Sequence, residues 1–455
     1  MSKLAMMKQA FEEILGDFYE NGLPADITPR QIAYLEKAHS VSVVTGMRRT
    51  GKTYFTYQRM KELLQEGLPL NRIVHVNFDD NRLKGATVDD LRLLGDTHAR
   101  LFPQAAAEKC WYFLDELQNV DGWEWYARHL LDSNHVQLCL TGSSSRLLSS
   151  EIATQTRGRA LEIELFPLSF AETLLFNGLF QKTPSAPYSA RAAGLLRNAM
   201  GLYLETGGFP DVQGLPARLR IKMLQEYVDA VVYRDILERY NIPSFQALRY
   251  TLDYLLHHFA RKVSTRAVAG ALKEQGLSSD RECIKNYLDY FRNAYLVYPV
   301  RLRTDSLTVQ NANPDKYYLV DTGLIRAMML KNDAERGRLL ENLVFLALRR
   351  GLNKIEYYNV PGGGEVDFYV TDQITHEKRL VQVTWEMTSP ETRKRELDAL
   401  ANAIRATGIQ DATLVTWDDD ESVEGNIRIV PVWKWTLEEA ARQAEGATSL
   451  YVSPS

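Results

Sequence analysis

Residues 46–53 read Gly46-Met47-Arg48-Arg49-Thr50-Gly51-Lys52-Thr53, and no other string in the chain limits its fold as much. G-x-x-x-x-G-K-T is a phosphate-binding loop. Its glycines let backbone N–H groups converge on phosphates, the lysine reaches the β- and γ-phosphates, and the threonine hydroxyl faces Mg²⁺. The flanks suit such a loop: HSVSVVT at 39–45 reads as a short buried strand, and TYFTYQRMKELLQ at 53–65 reads as a helix. A helix starting there points the positive end of its dipole at the phosphates. Strand, loop and helix in that order predict an α/β core that binds ATP through residues 46–53, with Mg²⁺ on Thr53.

Further apolar runs extend the sheet. IVHVNFD at 73–79 is one strand, and CWYFL at 110–114 is another, closing on Asp115-Glu116. An apolar strand ending in Asp-Glu 62 residues after Thr53 (115 − 53) is a Walker B segment. Asp115 is then expected in the Mg²⁺ shell, with Glu116 orienting the attacking water and accepting its proton. VQLCLTG at 136–142 is a fourth strand, followed by Ser143-Ser144-Ser145. In additional-strand ATPases this tip carries a polar sensor beside the γ-phosphate, which makes Ser143 or Ser144 the candidate; a serine helix cap before Arg146 is the competing reading. Arg157-Gly158-Arg159 precedes a fifth strand in LEIELFPLSF. An arginine there is placed to reach a neighbouring subunit's γ-phosphate and stabilise transition-state charge, Arg159 first and Arg157 second.

Taken in order, GMRRTGKT, NFDDNRL, FLDELQNVDGWE, LTGSSSRLLSSEI, RGRALEIELFPLSFAE and YLETGGFPDV resemble a bacterial and archaeal family of AAA-type ATPases. Members of that family carry a helical extension and a C-terminal domain of unknown function related to restriction-endonuclease folds. The resemblance covers nearly the whole chain. It implies ATP and Mg²⁺ as cofactors and assembly into a homo-oligomer, with a hexameric ring as one form. The division expected is an N-terminal helix at 1–25, an AAA-type P-loop core at 26–172, a helical lid at 173–243, a winged-helix segment at 244–305, an α/β restriction-endonuclease-like domain at 306–440 and a tail at 441–455.

The residues of the middle segments carry their own signals. Residues 170–240 pattern as helices around a Gly207-Gly208-Phe209-Pro210 turn, and Arg234 is a candidate nucleotide sensor, set against an i,i+4 pair with Glu238. Residues 244–304 hold three helix-like stretches and then the strand YPVRLRT, the outline of a winged helix. Ten Lys/Arg against five Asp/Glu give this segment +5 in a chain whose net charge is −4. DNA is the partner considered for its third helix, through Arg281, Lys285 and Arg292, with a solvated basic face as the alternative.

At 337–435 the order of helix and strands resembles a restriction-endonuclease-like fold. In that fold a helix Glu, a strand Asp and an E-x-K on the next strand bind a metal ion and activate water. Glu341 and Asp367 match the first two positions, but the third reads Gln382-Val383-Thr384. Threonine cannot replace the lysine, so the expectation is a vestigial, non-cutting site, unless Lys378 or Lys394 has moved into the role.

Composition excludes other classes. No run of eighteen apolar residues exists, so no membrane segment is expected. Cys110, Cys139 and Cys283 form no metal spacing and suit a reduced, cytoplasmic setting. The paired His257-His258 has no second pair to make a zinc site. Three functions therefore stand at this level: a hydrolysing AAA-type ATPase, an ATP-gated metal-dependent endonuclease, and a slow ATP-dependent switch.

Overall fold

The computed structural model describes residues 2–133, 135–143, 158–277, 279–329, 335–419 and 421–449. The chain divides into two compact units, Met1–Leu165 and Phe166–Ser455.

The first unit is built on five strands: β1 (Val41–Thr45), β2 (Ile73–Asn77), β3 (Cys110–Asp115), β4 (Val136–Gly142) and β5 (Ala160–Glu164). All pairings are parallel, and the strand order is β2-β3-β4-β1-β5. A parallel sheet must be covered on both faces, which is why its strands read as continuous apolar runs. β1 shows the consequence: all five residues are buried. Val41 and Val43 face a core shared with Met7, Phe11 and Leu15 of the N-terminal helix Lys3–Asn21, and with Leu91, Leu94, Trp123 and Leu131. Val44 faces the opposite core with Phe55, Met60 and Leu63 of the helix Lys52–Gln65. The expected strands are present: β1 and β2 are each two residues shorter than their apolar runs, β3 extends one residue further to Asp115, β4 matches its run, and the fifth ends at Glu164, where LEIELFPLSF suggested a longer run.

The second unit begins with the helices Phe170–Phe176, Ala190–Thr206 and Ala217–Ala230. They are followed by the helix Phe245–His257, β6 (Lys262–Val263), the helices Thr265–Glu274 and Arg281–Asn293, β7 (Val297–Leu302) and β8 (Asp315–Leu319). β8 pairs antiparallel with both β6 and β7. The cap of the third of these helices is Asp280, whose side chain accepts from Cys283 N at 2.7 Å; Ser278 lies outside the described residues. The helix Arg336–Arg349 leads into β9 (Asn353–Asn359), β10 (Glu365–Asp372) and β11 (Lys378–Val383), an antiparallel run. After the helix Pro390–Thr407, β12 (Ala412–Thr416) pairs parallel with β11, and β13 (Ser422–Glu424) and β14 (Ile427–Pro431) complete that edge. Leu400 and Ala403 of the helix pack on Val366, Leu380, Leu414 and Ile429 of the sheet.

β7 also pairs parallel with β9, through Arg301↔Glu356 and Leu302↔Tyr357. The two sets of strands thereby join into one nine-stranded sheet, β13-β14-β12-β11-β10-β9-β7-β8-β6. Three inter-strand steps separate β8 from β10, about 14 Å in a flat sheet. The long side chain of Lys316 on β8 nevertheless reaches Glu365 and Asp367 on β10.

Candidate nucleotide site and a buried carboxylate cluster

In the first unit the strand register gathers the polar residues at one end of the sheet. Asn77 pairs with Asp115, and Asp115 with Thr141, at the C-terminal ends of β2, β3 and β4. The loop leaving β1 ends beside them. Gly46 has φ 138°, and a Cβ there would lie 2.2 Å from the carbonyl oxygen of Leu165, so only glycine fits. Gly51 has φ 93°. Thr50 Oγ1 donates to Met47 O at 3.0 Å, and Arg30 donates to Thr50 O at 2.9 Å, which fixes the turn. Arg48 Nη1 stands 4.0 Å from Asp79, while Arg49 is exposed with φ 69°.

Lys52 Nζ is buried and donates to Gly46 O and Met47 O, each at 3.1 Å. An ammonium folded back on its own loop is held ready for an anion entering the loop. Thr53 Oγ1 donates to Asp115 Oδ2 at 2.6 Å, and Thr141 Oγ1 donates to Asp115 Oδ1. A carboxylate shared by two hydroxyls at a strand end is a fitting hard-oxygen site for a Mg²⁺ shell. Glu116 follows in a left-handed conformation, φ 53°, which turns its side chain off the strand axis. Burial pushes its carboxyl above the usual glutamate range. The charge of Asp115 adds to this, while Lys52, Arg48 and the Gln118 amide that donates to Glu116 Oε2 work against it.

Thr141 is the site residue that the sequence reading missed. The sequence pattern there points to the serines that follow the strand. Ser143 lies directly after β4 and is buried; Ser144 and Arg157 lie outside the described residues. The available signal was the register: Thr141 is the last threonine of β4, and it sits opposite Asp115.

Arg159 occupies the other end of the sheet. Its carbonyl accepts from Val41 N at 2.9 Å, at the start of β1, and its guanidinium pairs with Asp132 at 2.9 Å. Five strand residues, roughly 15 Å, separate it from its own phosphate loop. In the second unit Arg234 is exposed, and Arg281, Lys285 and Arg292 are all exposed on the helix Arg281–Asn293, whose Ile284, Tyr287, Leu288 and Phe291 are buried. At 3.6 residues per turn the three cations fall within roughly 40° of one another, on one face.

The second unit also holds a buried ionic cluster. Glu341 comes from the helix Arg336–Arg349, Glu365 and Asp367 from β10, and Lys316 from β8. Lys316 Nζ lies 3.1 Å from Glu341 Oε1, 2.7 Å from Glu365 Oε1 and 3.0 Å from Asp367 Oδ1. Tyr318 Oη donates to Glu341 Oε1 at 2.6 Å, and Lys262, paired with Lys316 across β6 and β8, reaches Glu365 Oε2 at 2.5 Å. Burial raises the Asp367 carboxyl to about 7, with the Glu341 charge adding to it and Lys316 opposing it. Lys316 itself is held well above the ordinary lysine range by Tyr318 and the three carboxylates, which outweigh its burial. Gln382 and Thr384 are turned to other uses. Gln382 accepts from Asp367 N at 3.0 Å and donates to Glu396 at 2.7 Å, and Thr384 donates to Glu386 O at 3.4 Å. Lys378 and Lys394 are exposed.

Residues 38–174 match the AAA domain family, and residues 197–336 match a domain of unknown function, DUF8612. Over 450 residues the chain is 34% identical to an uncharacterized protein of Methanocaldococcus jannaschii, covering 96% of this chain and 97% of that one. An uncharacterized protein of Haemophilus influenzae is 29% identical over 368 residues, 79% of this chain and 86% of the other. The chain belongs to the family of the Methanocaldococcus protein, and it carries an AAA-type P-loop ATPase domain. Among solved structures it is similar to a Walker-type ATPase of Pyrococcus abyssi (12% identity, 71% of this chain and 94% of that one, TM-score 0.43). It is also similar to AMPPCP-bound DnaA from Aquifex aeolicus (14%, 62% and 86%, 0.24). The parallel strand order β2-β3-β4-β1-β5 and the AAA domain match define the class of the first unit. No helix among the described residues is long and apolar enough to cross a membrane.

Proposed function

We propose that the chain binds Mg²⁺·ATP at residues 46–53 and hydrolyses it. The observation that carries this reading is the convergence of Lys52, Thr53, Asp115 and Glu116 at one end of the sheet, with Thr53 and Asp115 in direct contact at 2.6 Å. Lys52 exchanges its two loop carbonyls for β- and γ-phosphate oxygens, and the loop amides take the remaining phosphate charge. Thr53 and Asp115 hold the metal shell, with Thr141 fixing the orientation of Asp115. Mg²⁺, when bound there, would neutralise part of the phosphate charge. Glu116 orients water and accepts its proton, and burial, which raises its carboxyl above the usual glutamate range, makes it a stronger base for that exchange. Arg159 cannot serve its own site across the height of the sheet, which favours action on a neighbouring copy in a homo-oligomer.

The second unit extends the proposal. The order helix, β6, helix, helix, β7, β8, with β8 between β6 and β7, is that of a winged helix, and the exposed cationic face of Arg281, Lys285 and Arg292 is suited to nucleic-acid phosphates. The helix Arg336–Arg349 and β9 to β12 follow the order of a restriction-endonuclease-like domain, here in a non-cutting form.

The test is a pair of variants. Lys52→Ala is expected to abolish nucleotide binding, whereas Glu116→Gln keeps it and turns over at least about a hundredfold more slowly. Parent-like hydrolysis by Glu116→Gln would remove the base assignment. Turnover far below about one per minute, unmoved by DNA or protein concentration, would favour a slow switch.

A further inference from the structure

We propose that Lys316 is a tethered cation that fills the carboxylate cluster of the second unit, standing where a nuclease-type fold would hold a divalent metal ion. The domain then keeps the shell of a metal site and takes no metal there. This inference concerns the second unit alone and does not depend on the ATPase reading.

An ammonium has three N–H donors and no acceptor. Lys316 directs them at three separate carboxylates, all within 3.1 Å, and is itself 5% exposed. A divalent ion at the centre of the same oxygens would sit against a buried positive charge that has no solvent to retreat to. The outer positions are also spent. Asp367 Oδ2 accepts from Val383 N at 3.2 Å, Gln382 bridges Asp367 N and Glu396, and Thr384 turns to a backbone carbonyl. Among the described residues, no group of three or more His, Cys, Asp or Glu is arranged to hold a metal ion. The residues present therefore do not fit the metal that the fold suggests.

The placement of the lysine explains how this arose. Lys316 does not belong to the strand following Asp367, where a nuclease-type lysine would lie. It comes from β8, three strands away from β10 in the same sheet, and its long side chain reaches across to Glu365 and Asp367. One buried ammonium thus faces all three carboxylates and ties β8 to β10, with Lys262 pairing the outer oxygen of Glu365. A buried pair broken on one side leaves uncompensated charge. Removing the lysine leaves Glu341, Glu365 and Asp367 facing each other with only Lys262 at the rim, a cluster that a divalent ion would relieve.

The experiment uses the full chain without nucleotide, in an Asp115→Ala background that removes the carboxylate of the first unit's metal shell. Mn²⁺ binding is read by electron paramagnetic resonance, and melting is followed with Mn²⁺ or with a chelator. The Lys316-containing protein is expected to take up no Mn²⁺ at the cluster and to melt at the same temperature in both conditions. Lys316→Gln is expected to gain one bound Mn²⁺ per chain, lost again when Asp367→Asn is added, and to melt higher with Mn²⁺ than with the chelator. If Lys316→Gln does not fold in the chelator, the expectation is that Mn²⁺ restores folding. Three results overturn the proposal: Mn²⁺ bound by the Lys316-containing protein and lost on Asp367→Asn, a folded Lys316→Gln that takes up none, or an unfolded one that Mn²⁺ does not rescue.

Discussion

Thr53 and Asp115, 62 residues apart in sequence, meet at 2.6 Å, and Thr141 holds the second oxygen of the same carboxylate. The carboxylate is thus oriented from both sides before any ligand arrives. Removing the Thr141 hydroxyl leaves a buried acceptor unsatisfied, a cost of about 1–3 kcal/mol, and frees Asp115 to rotate. Thr141→Val is therefore expected to slow ATP turnover by roughly tenfold or more while leaving metal-free nucleotide binding near the parent level. Thr141→Ser restores the hydroxyl and should recover most of the rate. Steady-state kinetics across a Mg²⁺ titration checks this; a Val variant with parent kinetics would show that Thr141 is only a packing residue.

Gly46 makes a different demand on its position. With φ at 138° and Leu165 O only 2.2 Å from the place of a Cβ, Gly46→Ala combines backbone strain with a clash against fixed backbone. Strain at such a φ costs of order 1–3 kcal/mol, and overpacking a similar amount. The variant should melt several degrees lower and bind nucleotide poorly. Gly67→Ala is a useful control for strain alone, since Gly67 also has a positive φ but no neighbour within 4 Å of a Cβ. Equal melting of the two variants would exclude the clash.

How far the sequence could be read follows from how local each signal is. The phosphate loop and the Asp115-Glu116 strand end are contiguous strings, so their chemistry is visible without a fold. Thr141 was hidden because its role depends on parallel register with β3, a relation between segments 26 residues apart (141 − 115). Lys316 was further hidden. It sits in a KYYLV run with no motif, on a strand whose partner β6 has only two residues, and it reaches Asp367 from three strands away in a sheet whose order the sequence does not reveal. The lysines near Asp367 in sequence, Lys378 and Lys394, both face solvent.

A buried acid gives the second unit a pH signature. Asp321 accepts from Gly208 N at 2.7 Å and Leu324 N at 2.9 Å, yet burial raises its carboxyl to about 6 from an ordinary 3.8. The folded state then binds more protons than the unfolded state between these values, so stability is greatest below about pH 4 for this group and falls as pH rises through 6. The slope is at most about 1.4 kcal/mol per pH unit for one proton. Asp321→Asn removes the titration but places an amide donor against Gly208 N. It should be less stable than the parent at pH 4, by a margin that narrows towards pH 7. Urea unfolding of both proteins at several pH values checks this, and a margin that widens with pH would reverse the assignment.

Arg159 can be tested for action between copies without knowing their number. It stands at the start of β5, paired with Asp132 and roughly 15 Å from its own loop. If it completes a neighbour's site, Arg159→Ala should lower turnover at least about a hundredfold, because an arginine supplied to phosphoryl transfer contributes that much or more. The neighbour's Glu116 is unaffected by the change. A mixture of Arg159→Ala and Glu116→Gln chains then contains sites with an intact Glu116 facing an intact Arg159, and it should hydrolyse ATP well above the sum of the two separate variants. Asp132→Ala should keep its activity, since the pair is half-exposed and worth at most about 1 kcal/mol. A mixture no more active than its parts, with both chains shown to co-assemble, would confine Arg159 to its bond with Asp132.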